Sequence, residues 1–421
     1  MLTTAEIACI EESPYKQDFP LLAQNPEIVF LDSAATAQRP EDVLAAERRF
    51  YETMNANPLR GLYRLSVEAP QSIADARRHI AGFIGAVDEA GKPQGDELVF
   101  TRTASESLNL LAHTLGPTVL GPGDEVVISI MEHHSNLIPW QQVCRATGAK
   151  LVYLRMDDDY TIPPEEIERK IGPRTKIVSC TQVSNVLGVE NDIRAIAARA
   201  HEVGAYMIVD GAQSVPHIRV DVRELGIDFL AFSAHKMGGP MGIGVLWGKK
   251  DLLDALPPFL TGGEMIDSVT ETDAVWAPVP QKCEAGTQDA AGSYAFDAAL
   301  SYLEKQDFGA LEQRERLLAT YLTDQLEALG FIDIIGPAAG SRHIGAVAFN
   351  VGDVHPHDVA SILDMGNVCI RAGHHCAQPL LTELGVSSTC RASVAFYNDK
   401  SDIDRLVDGL KQVWQVFHAG N

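Results

Sequence analysis

Three features of the sequence predict an α/β fold, in which a large, mostly parallel sheet is followed by a smaller α+β domain at the C-terminus. Short apolar runs with β-branched members recur at Glu97–Phe100, Glu125–Ile130, Lys150–Leu154, Lys176–Thr181, Tyr206–Val209 and Phe229–Phe232. Helical segments separate them, and this alternation is the pattern of a parallel sheet joined by crossovers. Several runs stop abruptly in polar residues, as strands do at the carboxyl edge of an open sheet, where ligands bind.

Residues 1–25 read as a helical start with Thr3, Thr4 and Glu6 as a cap, then a proline-marked turn, and are expected to pack with the smaller domain. Ile28–Leu31 is a strand. The small residues Ser33, Ala34, Ala35 and Thr36 after it either admit a ligand close to the backbone or make an ordinary turn. Arg39-Pro40 leads into a helix through Tyr51, and Asn57–Gly61 has loop chemistry. Thr103–Ser107 opens a helix. Its hydroxyls suit caps, and the same helix end presents free N–H groups to an anion. Met131–Asn136 closes a strand with paired histidines. No third ligand stands at metal spacing, so an aromatic face over a flat ring is the better reading of His133. Asn185, at the end of another strand, reads equally as a turn residue or a site residue.

Gly242–Gly248 is a closing strand, and 257–292 is a long connection rich in Pro, Gly and Thr, of a kind that is usually functional or mobile. Helical stretches follow at Tyr294–Glu304 and Gln313–Leu329. Strands are then expected at Gly345–Val351, Val368–Arg371 and Ala392–Phe396, with helices at His357–Asp364 and Ile403–Phe417. The division expected is a large domain over 26–293 and a small one over 294–421.

With 421 residues, 46% of them apolar, the chain has material for more than one core. A formal net charge of −23 argues against nucleic acid and against an anionic membrane surface, and it is most simply read as solubility. Met1–Glu12 lacks the apolar stretch of a secretory signal, and no apolar run approaches membrane-spanning length. The seven cysteines are scattered and odd in number, without C-x-x-C spacing, which fits a reducing cytosol better than a disulfide framework.

Two stretches carry chemistry. Asp210 stops one strand, and Ser233-Ala234-His235-Lys236 stops the next. A carboxylate and an amine at neighbouring strand tips suit pyridoxal phosphate, whose aldehyde takes a lysine and whose ring nitrogen is kept protonated by an acid. An ion pair at a sheet edge would use the same two residue types. The second stretch is Arg371-Ala-Gly-His374-His375-Cys376-Ala-Gln-Pro379. Gly373 and Pro379 make it a loop. Arg371 and the two histidines are neighbours of the kind that raise the thiolate population of a cysteine.

The S-x-H-K segment with its following glycines, together with R-x-G-H-H-C, resembles the SufS-like (group II) cysteine desulfurases and selenocysteine lyases, which are fold-type I pyridoxal phosphate enzymes of aspartate aminotransferase-like architecture. The resemblance runs from Asp32 to Tyr397. It implies a homodimer with shared active sites that converts L-cysteine to L-alanine, leaving a persulfide on Cys376 for an acceptor in iron–sulfur cluster assembly. It also implies roles for individual residues. Lys236 carries the cofactor and moves the Cα proton, Asp210 holds the ring nitrogen, Gln213 bonds the ring hydroxyl and His133 stacks on the ring. Ala104, Ser105, Ser233 and His235 lie at the phosphate, joined by Thr287 of the neighbouring subunit. Asn185 holds a cofactor oxygen and, with Arg391 and the Ala34 stretch, the substrate carboxylate. The chain departs from its relatives at Leu59 and Tyr63, where histidines are common, and at Ala104-Ser105, where two threonines are common.

Val354–Val359 resembles the form of the family paired with a zinc-containing, U-type acceptor, in which a histidine at the position of His357 takes over a zinc ligand; a plain helix N-terminal residue is the other reading. Selenocysteine lyase and cysteine sulfinate desulfinase share nearly the whole motif set. A catalytically idle sulfur carrier is the alternative from another class. An aminotransferase has no use for a loop cysteine.

Overall fold

A computed structural model of the chain describes residues 2–57, 63–337 and 343–418; the loop residues Leu59, Arg60 and Gly61 lie outside the described residues. Seven strands form the main sheet in the order Leu98–Thr101, Gly244–Gly248, Phe229–Ser233, Tyr206–Asp210, Thr175–Thr181, Glu125–Ser129 and Lys150–Leu154. The last five run parallel, while Gly244–Gly248 is antiparallel to both its neighbours.

The central strands read as continuous apolar runs because both sheet faces are covered. Alternate residues go to opposite cores. Val127, Val178, Met207, Val209, Leu230 and Phe232 enter one. Val126, Ile128, Ile177, Ile208, Phe229 and Ala231 enter the other. Helices Glu41–Thr53, Arg64–Phe83 and Ala290–Lys305 pack together over the first face, and Ala104–Val119 with Ile138–Thr147 over the second. The consequence for function is geometric. All five parallel strands end on the same edge, so their polar tips face one crevice.

The C-terminal lobe is a four-stranded antiparallel sheet in the order Ile332–Ile335, Ala346–Val351, Thr389–Ser393, Arg371–Gly373. Helices Phe308–Glu327, Pro356–Met365 and Lys400–His418 contribute to its core, which also takes in Ile10, Val29 and Leu31. The first strand, Val29–Phe30, accordingly pairs in parallel with Val368–Cys369 and stays out of the main sheet. Expected strand Val368–Arg371 is divided there: after Cys369 the chain changes partners, and Arg371–Gly373 pairs with Thr389–Arg391. The N-terminal helix Thr4–Ala8 has the expected cap, with Thr3 Oγ1 accepting from Glu6 N–H and Glu6 accepting from Thr3 N–H.

The connection 257–292 departs from a plain loop. It holds an antiparallel hairpin, Ile266–Val269 with Ala274–Trp276, that leaves Val269, Val275 and Trp276 exposed. After it, Glu284 accepts from both terminal nitrogens of Arg77 (2.6 and 2.5 Å), and this buried pair ties the segment before Thr287 to the large lobe.

Candidate active site

The strand tips and the C-terminal lobe enclose a cavity of about 190 Å³ lined by Ala34, Ala104, Ser105, His133, Asn185, Asp210, Gln213, Ser233, His235, Lys236 and Arg391. Of the residues singled out in the sequence, these eleven meet in one place. Arg371 and His375 line it too, and bring the cysteine loop to its rim.

Lys236 follows the strand Phe229–Ser233 on a short 3-10 turn. Among the described residues no hydrogen bond or ion pair holds its amine. Burial lowers it to about 8, against the pull of Asp210, which leaves a usable neutral fraction near neutral pH. Asp210 ends the adjacent strand and is buried, with Oδ1 accepting from Ala212 N–H at 3.0 Å. Burial raises its carboxyl, and the Lys236 charge opposes that rise.

His133 caps the turn His134–Asn136, its Nδ1 accepting from Ser135 N–H at 3.1 Å. Desolvation first, and Lys236 next, push its imidazole down to about 3, so it is a neutral flat ring. His235, beside Thr36 Oγ1 at 3.2 Å, is held down to about 4, mainly by burial.

An anion cradle lies at the N-terminus of helix Ala104–Val119. Ser233 Oγ accepts from Ala104 N–H at 2.7 Å, Ser105 Oγ meets Ser135 Oγ at 2.6 Å, and Thr103 caps the helix. Gly244 is required beneath it, since an added Cβ would come within 2.4 Å of the Thr103 backbone. Hydroxyls, helix N–H groups and His235 suit a phosphate, while Asp210 and Lys236 suit a pyridine aldehyde. The donor set therefore fits pyridoxal phosphate.

Arg391 is 1% exposed. Its Nη2 donates to Asp32 Oδ1 and its Nη1 to the Asn185 carbonyl, both at 2.9 Å, while Nε has no partner among the described residues. Gln213 and Asn185 are engaged within the chain: Gln213 Nε2 donates to the Ala34 carbonyl at 2.7 Å, and Asn185 Nδ2 to the His375 carbonyl at 2.8 Å.

Cys376 is partly exposed and, like His375, has a positive φ, 57° and 52° respectively. The tight turn is held from the large lobe. His134 N–H donates to the Cys376 carbonyl at 2.7 Å, and His134 Nε2 accepts from Gln378 N–H at 3.2 Å. An ion pair between Arg155 and Glu383 anchors the short helix that follows. Arg371 Nη2 lies 3.9 Å from the Cys376 sulfur.

Two predicted residues lie elsewhere. Thr287 lines a separate cavity with Arg102, Glu106 and Gly242, away from this chain's own Lys236. His357 is exposed on helix Pro356–Met365, its Nε2 within 3.9 Å of where a Cβ on Gly373 would sit, beside the strand that feeds the cysteine loop. Among the described residues no group of three or more His, Cys, Asp or Glu is placed to hold a metal ion, and no helix is long and apolar enough to cross a membrane. Glu132 has no motif to announce it; it is buried and accepts from the N–H of Thr181, which lines the cavity.

The aminotransferase class-V family model matches residues 29–406. The chain belongs to that family. It is a fold-type I enzyme dependent on pyridoxal phosphate. It is 47% identical to a probable cysteine desulfurase of Halalkalibacterium halodurans over 96% of this chain and 98% of that one. It is 46% identical to a cysteine desulfurase of Haloferax volcanii, over 93% and 90% of the two chains. Among solved structures, the cysteine desulfurase CsdA from Escherichia coli superposes with a TM-score of 0.88 at 38% identity, covering 96% of this chain and 98% of that one. The apo cysteine desulfurase from Thermococcus onnurineus does so with a TM-score of 0.89 at 35% identity, with 98% of each chain covered.

Proposed function

We propose that this chain is a cysteine desulfurase that moves sulfur from L-cysteine to Cys376 and releases L-alanine. The observation that carries the proposal is the meeting of two lobes at one cavity. Lys236 enters from the strand tips, and Arg371 and His375, on the segment that carries Cys376 and is pinned by His134, line the same cavity.

Bound pyridoxal phosphate supplies an electron sink for the charge that develops at the substrate Cα. Asp210 would hold the ring nitrogen, His133 would stack on the ring, and Ala104, Ser105, Ser233 and His235 would hold the phosphate. Lys236, with its amine lowered by burial, takes up the Cα proton. Arg391 presents a planar, buried guanidinium to the substrate carboxylate, with Asn185 and the Ala34 backbone beside it. The Cys376 thiolate attacks the substrate sulfur. As the new S–S bond forms, the Cβ–S bond breaks, its electron pair stays on carbon, and that carbon takes a proton on the way to alanine. Arg371 Nη2 lies beside the attacking sulfur.

The exposed hairpin at 266–276, and Thr287 in a cavity apart from Lys236, support a homodimer in which Thr287 completes the neighbouring subunit's phosphate site. Seven scattered cysteines without C-x-x-C spacing support a reducing cytosol. Cys376 is reachable on a short loop, which supports direct hand-over to a docked acceptor for iron–sulfur cluster assembly. A zinc-containing U-type acceptor, engaged through His357, is the form we favour. Such an acceptor should stimulate the parent strongly and His357→Ala weakly; equal stimulation removes this role for His357.

The test of the activity is incubation of the holoenzyme with L-cysteine, L-selenocysteine and L-cysteine sulfinate in parallel. Alanine forming fastest from cysteine, with one extra sulfur mapped to Cys376, is the expected result. Preference for either other substrate reassigns the enzyme within its family.

A further inference from the structure

Glu132 is a buried acid that the proposed chemistry does not use. It is 2% exposed, and among the described residues no cation pairs with it. A carboxyl so placed costs stability relative to an apolar side chain of similar volume, unless its hydrogen bonds are all met. Here they come from three different elements. Ser129 Oγ bonds Oε1 from the end of the strand that leads into the turn. Asn136 Nδ2 donates to Oε2 at 2.6 Å from the far end of the same turn. Thr181 N–H donates to Oε1 at 2.9 Å from the tip of the neighbouring strand.

Each contact leads to a group that faces the cavity. The segment from Ser129 to Asn136 carries His133, and stapling both ends of it through one carboxyl fixes where the His133 ring lies. Asn136 is itself locked, its Oδ1 accepting from Ser179 Oγ at 2.6 Å and from Trp140 Nε1 at 3.1 Å. Thr181 stands opposite Asp210 in the parallel register, and Gln182 N–H donates to the Asp210 carbonyl at 3.1 Å. Glu132 therefore joins the backbone that sets a ring-face residue to the backbone that sets the ring-nitrogen residue.

We propose that Glu132 is a positioning residue for the cofactor: it couples the turn bearing His133 to the strand tip paired with Asp210, holding the two at a fixed separation around the pyridine ring. Its protonation agrees with that role. Burial pushes the carboxyl up to about 8, with nearby Asp210 adding to the rise, so at neutral pH it mostly carries a proton and puts little second charge beside Asp210. The inference rests on the cofactor contacts proposed above for His133 and Asp210.

The test compares parent, Glu132→Ala, Glu132→Gln and Ser129→Ala for pyridoxal phosphate affinity, for the visible circular dichroism of the bound cofactor, and for melting temperature of the apo protein. Glu132→Ala should lose about tenfold or more in affinity and much of the visible dichroism, since about 1.4 kcal/mol corresponds to tenfold. Glu132→Gln, which keeps shape and neutrality, should stay within a few-fold of the parent. Ser129→Ala removes one of the three bonds at the cost of a single atom and should move both cofactor readouts less, in the same direction; it serves if Glu132→Ala does not fold. A lower melting temperature with parental affinity and dichroism in the variants that fold would reduce Glu132 to a structural residue and overturn the proposal. The underlying contacts fail separately, if His133→Ala and Asp210→Ala bind the cofactor as the parent does.

Discussion

The two walls of the cavity are built in opposite ways. The strand-tip wall carries Asp210, His133 and Lys236 on a fully covered sheet, and burial moves their ionisation by known directions: the acid up, the imidazole and the amine down. The cysteine wall is a partly exposed turn with two residues at positive φ, held against the large lobe by a few hydrogen bonds and one ion pair. Groups that tune a cofactor need a fixed, dry setting. A sulfur carrier must be rigid enough to reach the substrate and open enough to be reached by an acceptor. The division of labour between the lobes follows from those two demands.

The largest effect that would break this comparison is expected on the buried wall. Lys236→Ala should cut alanine formation by about a thousandfold or more, because the proposed mechanism gives it both the cofactor's anchorage and the proton transfer. Turnover at even a tenth of the parent rate would move catalysis elsewhere.

A smaller effect sharpens the contrast. His134→Ala removes the acceptor for Gln378 N–H but leaves the backbone bond to Cys376, so the loop loosens without being released. Persulfide formation should slow by roughly three- to tenfold, the range of about one hydrogen bond, while the cofactor spectrum stays parental. A changed cofactor spectrum would show that the two walls are not separable.

The smallest effect concerns the frame alone. His79 on helix Arg64–Phe83 meets Asp297 at 2.7 Å and Glu304 at 3.0 Å on helix Ala290–Lys305, and the Asp297 bond foremost raises it to about 9. A raised histidine contributes stability that is full below its unfolded value near 6.5 and is lost as pH climbs through about 9. Because the site is partly open to water, His79→Gln should destabilise the parent by only about 1 kcal/mol at pH 6 and by less at pH 10. An equal difference at both pH values would deny the clamp.

Much of the strand-tip wall was legible in the sequence, because apolar runs ended by Asp210 and by Ser233–Lys236 have a local signature. The cysteine segment was legible through Gly373, Pro379 and its basic neighbours. What escaped depends on distant partners. The hairpin at 266–276 has little buried surface, so its strands lack the alternation that marks a sheet face. The pairing of Val29–Phe30 with Val368–Cys369 joins segments from opposite ends of the chain. Gln213 and Asn185 were expected at the cofactor and substrate, yet their amides also brace Ala34 and the cysteine loop, a use that no motif encodes. Glu132 has no sequence signature of its own; its place is set by Thr181 of a neighbouring strand and by Asn136, which close around it.

The most direct measurement is alanine formation from L-cysteine by holoenzyme carrying Cys376→Ala. The account predicts a protein that binds the cofactor with an unchanged spectrum and yields alanine at no more than about a hundredth of the parent rate, since the nucleophile for sulfur is gone. Alanine at the parent rate from that variant would contradict it.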